Sequence, residues 1–566
     1  MSRNIVGRGA NLSPHFSALR ALGSAPEHLF SFSCALCFFF PFLYYTPMRI
    51  GIWIESEFMI LSMQLFSVAM AGVLAWRMPQ RYPLETHPAM LCLGGLIVLS
   101  CMLLPFHRFS GASWFGPPES GIGIGLFLCT FVLIFVFYGA LAEEKNTLIG
   151  LAILAAALLG LWILSVNKGL FPVKNIYTFN SFLAFVGVAA VGFMARVEMG
   201  WHKLTCALCA LFLIVVSGNK TTLAGLAFLP VMLWILSRVP FVSERHLATL
   251  VVALTPLAIC TLEWAVASPD RLVTIWSRLL SQKIVFLAFL DNPWALLHGL
   301  GWGHFSELLF TYHEPITSNP ALLKSMPDQV WDAYERSDFH NHNSFLETLS
   351  AQGLLGLFLH LGFLGCLMFY CAPPRTKEVF SFLFLYTLTS SNWFEMPTSV
   401  PFTALAFACV LAPRSSMKGS VRSHRQKALF MTFFVVLSAT FLANLKMALE
   451  HDTAGTGRME DALHAYFPSF LSSSYYADFS RGGAYLSKEI DTFIYASKVI
   501  AQKRDVVDFT KRYLYFAESI LRYRPKSARL LEAQKRLEAL LFDDLKEESA
   551  FDAIRMKYPR RVFSQK

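Results

Sequence analysis

The sequence predicts an all-α, polytopic membrane protein, and three observations carry that reading. Of the 566 residues, 55% are hydrophobic and 15% charged, with a mean hydropathy of +0.48, whereas soluble domains carry roughly 25% charged residues. Apolar runs of roughly 18 to 25 residues recur along the first four-fifths of the chain, each long enough to cross a hydrocarbon core about 30 Å thick. Lys and Arg, whose excess gives a net charge of +10, sit mainly in the short links between those runs, where they set orientation. An ordinary soluble enzyme is excluded, and the charge calls for no nucleic acid partner.

Taken in order, the apolar runs and their flanks predict about thirteen spans. They lie near 28–46, 54–76, 88–105, 121–141, 148–165, 176–195, 203–217, 220–237, 247–265, 344–370, 378–392, 398–412 and 428–445. The segment 1–27 is basic, with Arg3, Arg8 and Arg20, and its first apolar run is long and lacks a small-x-small cleavage site, so it reads as cytoplasmic and leads into an uncleaved span. The next links on that side hold Arg77/Arg81, Glu143/Glu144/Lys145, Arg196/Lys203, Arg238/Arg245, Arg375/Lys377 and the basic run Arg414 to Lys427. All but the acidic one obey the positive-inside rule. The odd count then places the 266–343 loop and the 446–566 segment on the outer face.

The transmembrane part is therefore 28–445, interrupted by an outer loop at 266–343 that is too long and too varied in composition to be a simple connector. The segment 446–566 is polar with apolar positions at helical spacing, as in Asp505–Tyr523 and Ser527–Phe542. Two prolines, Pro525 and Pro559, stand 34 residues apart, the period of a tetratricopeptide unit, although one spacing also fits a plain helical bundle. The cysteines from Cys34 to Cys409 fall within or at the ends of apolar runs. They read as small buried hydrophobes and predict neither zinc site nor disulfide framework.

Three polar sites stand out against this apolar background, because charges inside a bilayer are costly and mark function. Ser217-Gly218-Asn219-Lys220-Thr221-Thr222 breaks two short apolar runs. It is either a tight turn with a snorkelling lysine or an anion site, in which backbone N–H groups and the Lys220 ammonium hold a phosphate. In the outer loop, Arg271, Arg278 and Lys283 recur at near-helical spacing beside Leu279, Ile284, Phe286 and Phe289. That pattern predicts an amphipathic interfacial helix with its basic residues towards the headgroups, serving as a lid or as an anchor. The following Gly299-Leu300-Gly301-Trp302-Gly303 run permits a close backbone approach to a ligand but is no dinucleotide fingerprint.

The third site, Asp338-Phe339-His340-Asn341-His342-Asn343-Ser344, leads into the span that contains Glu347. A histidine there can accept a proton from a hydroxyl at neutral pH. Helix capping by Asn343 or Ser344 is the plain alternative. A metal held by Asp338, His340 and His342 lacks obvious further ligands, so no metal and no cofactor is expected.

His342-Asn343, nine residues, Gly353, two residues and Gly356 together resemble the His-[Asn/Ser/Gln]-x9-Gly-x2-[Gly/Thr/Tyr] pattern of the bacterial O-antigen ligase superfamily, which includes O-antigen polymerases and protein O-oligosaccharyltransferases. His340 does not fit the register, because Ala351 occupies the glycine position. The resemblance extends over about 120–410 through the long outer loop, its glycine-rich run and the basic residue in the inter-span break. It implies a metal-independent, inverting transfer of a glycan from an undecaprenyl-diphosphate carrier to an acceptor hydroxyl at the periplasmic face of the inner membrane. The acceptor is lipid A core for a ligase, a second carrier-linked repeat for a polymerase, or a protein for an oligosaccharyltransferase. His342 would act on the acceptor hydroxyl, with Asn343 binding sugar or holding the ring and Glu347 orienting the histidine. Lys220, Arg271, Arg278 and Lys283 would stabilise the diphosphate leaving group, and Asn219, His340, Gly301 and Trp302 would line the substrate. The family usually carries arginine in the inter-span break, and Lys220 cannot make its bidentate fork. The rivals from other classes are a flippase of lipid-linked sugars and a nonenzymatic assembly scaffold.

Overall fold

The computed structural model describes residues 87–106, 123–167, 176–198, 200–238, 243–266, 273–303, 343–393, 397–411, 431–443 and 528–541, apart from a few positions inside these ranges and with isolated positions such as Phe38, Trp114 and Glu395 outside them. The described residues are helical and contain no strand. We number the helices α1 (Pro88–Leu103), α2 (Ile124–Asn167), α3 (Ile176–Phe193), α4 (Gly200–Ser217), α5 (Lys220–Arg238), α6 (Glu244–Val266), α7 (Val273–Asp291), α8 (Ala295–His298), α9 (Ser344–Phe369), α10 (Thr376–Ser390), α11 (Val400–Val410), α12 (Met431–Ala443) and α13 (Ala528–Ala539). Among the described residues, seven helical stretches are long and apolar enough to cross a membrane: Pro88–Phe106, Ile124–Leu141, Lys145–Ser165, Gly200–Ser217, Lys220–Arg238, Glu244–Glu263 and Ser344–Phe369. The described residues are those of an all-helical, multi-pass membrane protein.

Burial explains which helices are central. α11 is buried along its whole length and α10 is buried from Val379 to Ser390, as expected of helices with neighbours on every side. Phe380, Phe382 and Phe402 from these two helices pack with Phe137, Phe182, Phe185 and Phe193 of α2 and α3. The outer helices instead turn apolar rows outward. Leu204, Leu208, Leu211 and Val215 of α4 are exposed, as are Leu250, Leu254 and Leu257 of α6. Such helical spacing of exposed aliphatics is the lipid-facing counterpart of a soluble protein's polar face. Small residues let the helices close up: a Cβ on Gly192 would stand 2.7 Å from Ala406 of α11, and one on Gly187 would stand 2.8 Å from Ile214 of α4.

Two helical assignments conceal reversals. In α2, Lys145 pairs with Glu198 at 2.7 Å, the Ile153 carbonyl lies 4.0 Å from Cys209 Sγ, and Gly160 faces Phe212 and Leu213. The Lys145–Ser165 stretch therefore runs alongside α4 and in its direction. α4 folds back on α3, whereas the Ile124–Leu141 stretch ends, with Tyr138, near Arg196 at the α3–α4 turn. The two halves of α2 are thus antiparallel, with the change of direction next to Glu143, Glu144 and Lys145.

The second reversal lies in α9. Thr348 Oγ1 is 2.9 Å from His360 Nδ1, and the Phe345 and His360 rings are 5.0 Å apart. In a straight helix, twelve residues of rise separate Thr348 and His360 by about 18 Å. Gly353, at φ 63° and ψ −164°, folds the helix into a short arm, 344–352, and a longer one, 354–369. The span expected near 344–370 is observed as Ser344–Phe369, with a bend at Gly353.

The two ends of the bundle differ. One carries the pairs Lys145–Glu198 and Lys203–Glu378, each at 2.7 Å. The opposite end gathers the α4–α5 turn, the last turn of α6, α7, the start of α9 and the link from α10 to α11. α13 is a short helix within the run 527–542, and its Ala533 and Leu537 are buried together with Leu540 and Leu541 just beyond its end.

Candidate functional site

The polar end is assembled from five separate parts of the sequence. At the α4–α5 turn, Ser217 Oγ accepts from Asn219 N at 3.1 Å and Asn219 Oδ1 accepts from Thr222 N at 3.1 Å. Asn219 is therefore the N-cap of α5, satisfying one of the orphan donors of the first turn. The break is a turn in which the Asn219 side chain is engaged in capping. Lys220 is exposed at the first position of α5, and among the described residues no ion pair holds it. Thr222 Oγ1 meets Thr389 Oγ1 of α10 at 2.9 Å, in full burial, which fixes the turn to the polar end of α10.

Arg278 does not point to headgroups. Its guanidinium donates to Glu263 Oε1 of α6 at 3.1 Å, to Asn392 Oδ1 and to the Asn392 carbonyl at 3.0 Å, while Gln282 Nε2 donates to Glu263 Oε2 at 2.8 Å. The planar fork of arginine suits this divided contact. α7 is thereby clamped between α6 and the α10–α11 link. Lys283 is half-buried on the same helix; Arg271 lies outside the described residues.

Asn343 starts α9. Its Oδ1 accepts from Phe345 N at 2.9 Å and Leu346 N at 3.0 Å, and its amide donates to Cys260 Sγ of α6 at 3.7 Å. Both ends of the Asn343 side chain are engaged within the protein. Ser344 Oγ donates to the Trp393 carbonyl at 3.2 Å. His340 and His342 lie outside the described residues. Glu347 is buried, and its backbone N–H donates to the Asn343 carbonyl at 2.9 Å.

The glycine-rich run and the two motif glycines, read separately in the sequence, belong to one contact. The bend at Gly353 frees carbonyls of the short arm, and the loop supplies their donors: Leu300 N reaches Ser350 O at 2.8 Å and Gly301 N reaches Ala351 O at 2.9 Å. A Cβ on Gly353 would lie 2.3 Å from the Leu297 carbonyl, and one on Gly299 would lie 2.2 Å from that of Ala351. The close backbone approach is thus made to the protein's own helix, not to a ligand. Within a membrane, freed backbone groups must find such internal partners. Trp302 is fully buried, with its Nε1 donating to Ser100 Oγ at 3.2 Å and its ring 4.7 Å from that of Phe127.

Below the capped start of α9 lies a cavity of about 60 Å³, room for a few waters. Its walls include Trp302, Ser344, Glu347, His360, Tyr386 and Glu395 amid Leu and Phe side chains. Of these, His360, Tyr386 and Glu395 were not singled out from the sequence. The polar run Thr389-Ser390-Ser391-Asn392, at the end of an otherwise apolar stretch, is the signal that marks this corner, whereas nothing local distinguishes His360. Glu395, in the α10–α11 link, accepts from Tyr386 Oη at 3.0 Å and from Thr403 Oγ1. Burial pushes its carboxyl from 4.5 up to about 7, against the pull of those two donors.

That shift has a definite sign. Between about pH 4.5 and 7 the folded state binds this proton more than the unfolded state does, so the Glu395 contribution to stability falls as pH rises through that window and is flat above it. The difference is on the order of 3 kcal/mol. Glu395→Gln should remove it: thermal midpoints of the detergent-solubilised wild type and variant should converge near pH 4.5 and separate in the variant's favour by pH 8. Parallel curves would refute the assignment.

No family model matches the chain, and no curated protein sequence matches it either. Among the described residues no group of three or more His, Cys, Asp or Glu side chains could hold a metal ion.

Proposed function

We propose that the protein is a membrane glycan transferase of the O-antigen ligase type, with about thirteen spans and its polar end at the periplasmic face of a bacterial inner membrane. The observation that carries this reading is the convergence, at one end of the bundle, of Lys220, the Arg278–Glu263–Asn392 cluster and the capped helix that begins directly after His342, above a cavity lined in part by Ser344, Glu347, His360 and Glu395. The donor is a glycan on undecaprenyl diphosphate, and the acceptor is the hydroxyl of lipid A core. Leaving of the diphosphate places negative charge on its bridging oxygen, which fixed cations stabilise. Lys220 and Lys283, together with Arg271, supply that charge more readily than Arg278, which Glu263 already neutralises. His342 takes the proton of the acceptor hydroxyl.

The test is transfer between purified lipid-linked donor and acceptor. His342→Ala should lower turnover at least about a hundredfold while leaving the thermal midpoint unchanged; normal transfer by the variant would reject the assignment. In cells, long glycans left on the carrier distinguish a ligase from a polymerase, whose loss leaves single repeats. One observation favours a second reading: Glu347, His360 and Glu395 put ionisable groups inside the bundle, as a flippase of lipid-linked sugars requires. In proteoliposomes such a protein would move donor across the bilayer without forming product.

A further inference from the structure

The end of the bundle away from Lys220 and Arg278 gathers two arginines that the described residues do not neutralise. Helix register brings them together. The Phe185 and Tyr386 rings are 6.0 Å apart and those of Phe182 and Phe402 are 6.3 Å apart, while a Cβ on Gly192 would stand 3.0 Å from Phe382 and 2.7 Å from Ala406. α3 thus runs antiparallel to α10 and in the direction of α11. About one turn beyond Gly192, Arg196 meets Arg375 at the start of α10 and Cys409 near the end of α11, each close enough for its charge to act on the guanidinium. Both arginines are half-buried, and Arg375 Nη1 is fully buried with no hydrogen-bond partner among the described residues. Glu198 and Glu378 are taken by Lys145 and Lys203, each at 2.7 Å. Among the described residues no ion pair joins Arg196, Arg375 or Glu244 to any group. Burial, and after it the Arg375 charge, holds the Arg196 guanidinium below its usual pKa range. Charge withdrawn from water without a counter-ion is unfavourable, and two like charges side by side add repulsion.

We infer that Arg196 and Arg375 form a binding site for a phosphate group at the junction of α3, α10 and α11. The anion supplies the counter-charge that the described carboxylates do not. Two planar guanidinium forks match phosphate oxygens, which accept paired N–H bonds from each, and Arg375 Nη1 already faces away from water. Basic pockets between the ends of membrane helices are where anionic headgroups lodge, and on the proposed topology this end is the cytoplasmic one. The phosphate belongs either to an anionic phospholipid of that leaflet or to a soluble phosphate. The site does not depend on the glycan-transferase reading, because it lies at the other end of the bundle from Lys220, Arg278 and the start of α9.

The experiment is thermal melting of the purified, detergent-solubilised full chain, washed free of carried lipid, with added phosphatidylglycerol, phosphatidylcholine or inorganic phosphate at fixed ionic strength. Wild type is compared with Arg196→Gln, Arg375→Gln and Lys377→Gln. Lys377 is exposed at the same end, so its variant loses one charge without touching the site. Ligand that binds the folded state alone raises the midpoint. Wild type and Lys377→Gln should rise by a few degrees with phosphatidylglycerol, beyond any rise with phosphatidylcholine, or with inorganic phosphate, and each arginine variant should lose most of that rise. A rise with phosphatidylglycerol alone assigns the site to a lipid headgroup, and a rise with inorganic phosphate assigns it to a soluble anion. Equal rises in all four proteins overturn the inference, as does a wild type that responds to neither probe. Should the glutamine variants not accumulate, Arg196→Lys and Arg375→Lys keep the charge but lose the fork, and a rise undiminished in both overturns it instead.

Discussion

Gly353→Ala is expected to be among the most damaging single-methyl additions in the chain. At φ 63° and ψ −164° the backbone is in a region that a residue with a Cβ enters only at a cost of about 1 to 3 kcal/mol. The new methyl would also stand 2.3 Å from the backbone carbonyl of Leu297, a contact that no rotamer change relieves. Moving Leu297 away breaks the bonds from Leu300 and Gly301 to the short arm of α9, and each freed group costs a further 1 to 3 kcal/mol or so in burial. The sum is of the order of the whole net stability of many domains. Detergent-solubilised Gly353→Ala should therefore lose its monodisperse peak or melt many degrees lower, and the proposed glycan transfer should fall with it. Gly299→Ala, 2.2 Å from the Ala351 carbonyl, should behave alike, and the double variant should be less than additive because both act on one contact. Gly150→Ala is the control: it lies in α2 with nothing within 4 Å of the added Cβ, and there alanine is favoured over glycine by up to about 1 kcal/mol. A Gly353→Ala protein that melts like wild type would mean that α9 does not turn back at this residue.

The same contact shows how far the sequence could be read. Composition and apolar run length are properties of single segments, so the helices α1, α4, α5 and α6 were legible near their observed limits, and the amphipathic pattern over Arg271 to Phe289 anticipated α7. Capping is equally local, which is why Asn343 could be named as a cap before its partners were seen. What stayed hidden depends on reversals. A hydropathy window over 344–370 averages across Gly353 and returns one span, since nothing in apolarity records the sign of φ. His360 then sits on an apolar stretch with no polar neighbour in sequence, and only the folding back of α9 brings it to Thr348. Charge direction was similarly invisible. The spacing of Arg278 and Lys283 on a helix is plain, but whether a guanidinium faces lipid or Glu263 depends on a carboxylate fifteen residues earlier and an amide more than a hundred later.

That arginine gives the second large effect. Glu263 is almost fully buried and receives Arg278 and Gln282, so Arg278→Ala leaves a carboxylate in a low-dielectric site with one neutral donor. Breaking one side of such a pair costs about 3 to 5 kcal/mol, much more than the intact pair contributes relative to a neutral replacement. The variant should accumulate poorly and melt far below wild type. Arg278→Gln combined with Glu263→Gln removes both charges while keeping amide donors and acceptors, and it should recover most of the lost midpoint. Transfer by that double variant then separates two roles of the arginine. If Arg278 only clamps α7 to α6 and to Asn392, activity returns along with the fold. If its charge also reaches the diphosphate, the protein is stable but turnover stays depressed by about 10²-fold or more, as when a single stabilising donor is lost from a transition state. Lys220→Ala provides the comparison. An exposed lysine at the first position of α5 with no ion pair among the described residues should change the midpoint little, as surface substitutions do. On the proposed glycan-transferase reading, a fall in turnover there is a loss of charge at the leaving group. Because Glu263 already neutralises Arg278, the proposed reading expects the larger loss of turnover at constant stability at Lys220, and the opposite ranking would move the proposed diphosphate site from the α4–α5 turn to the α7 clamp.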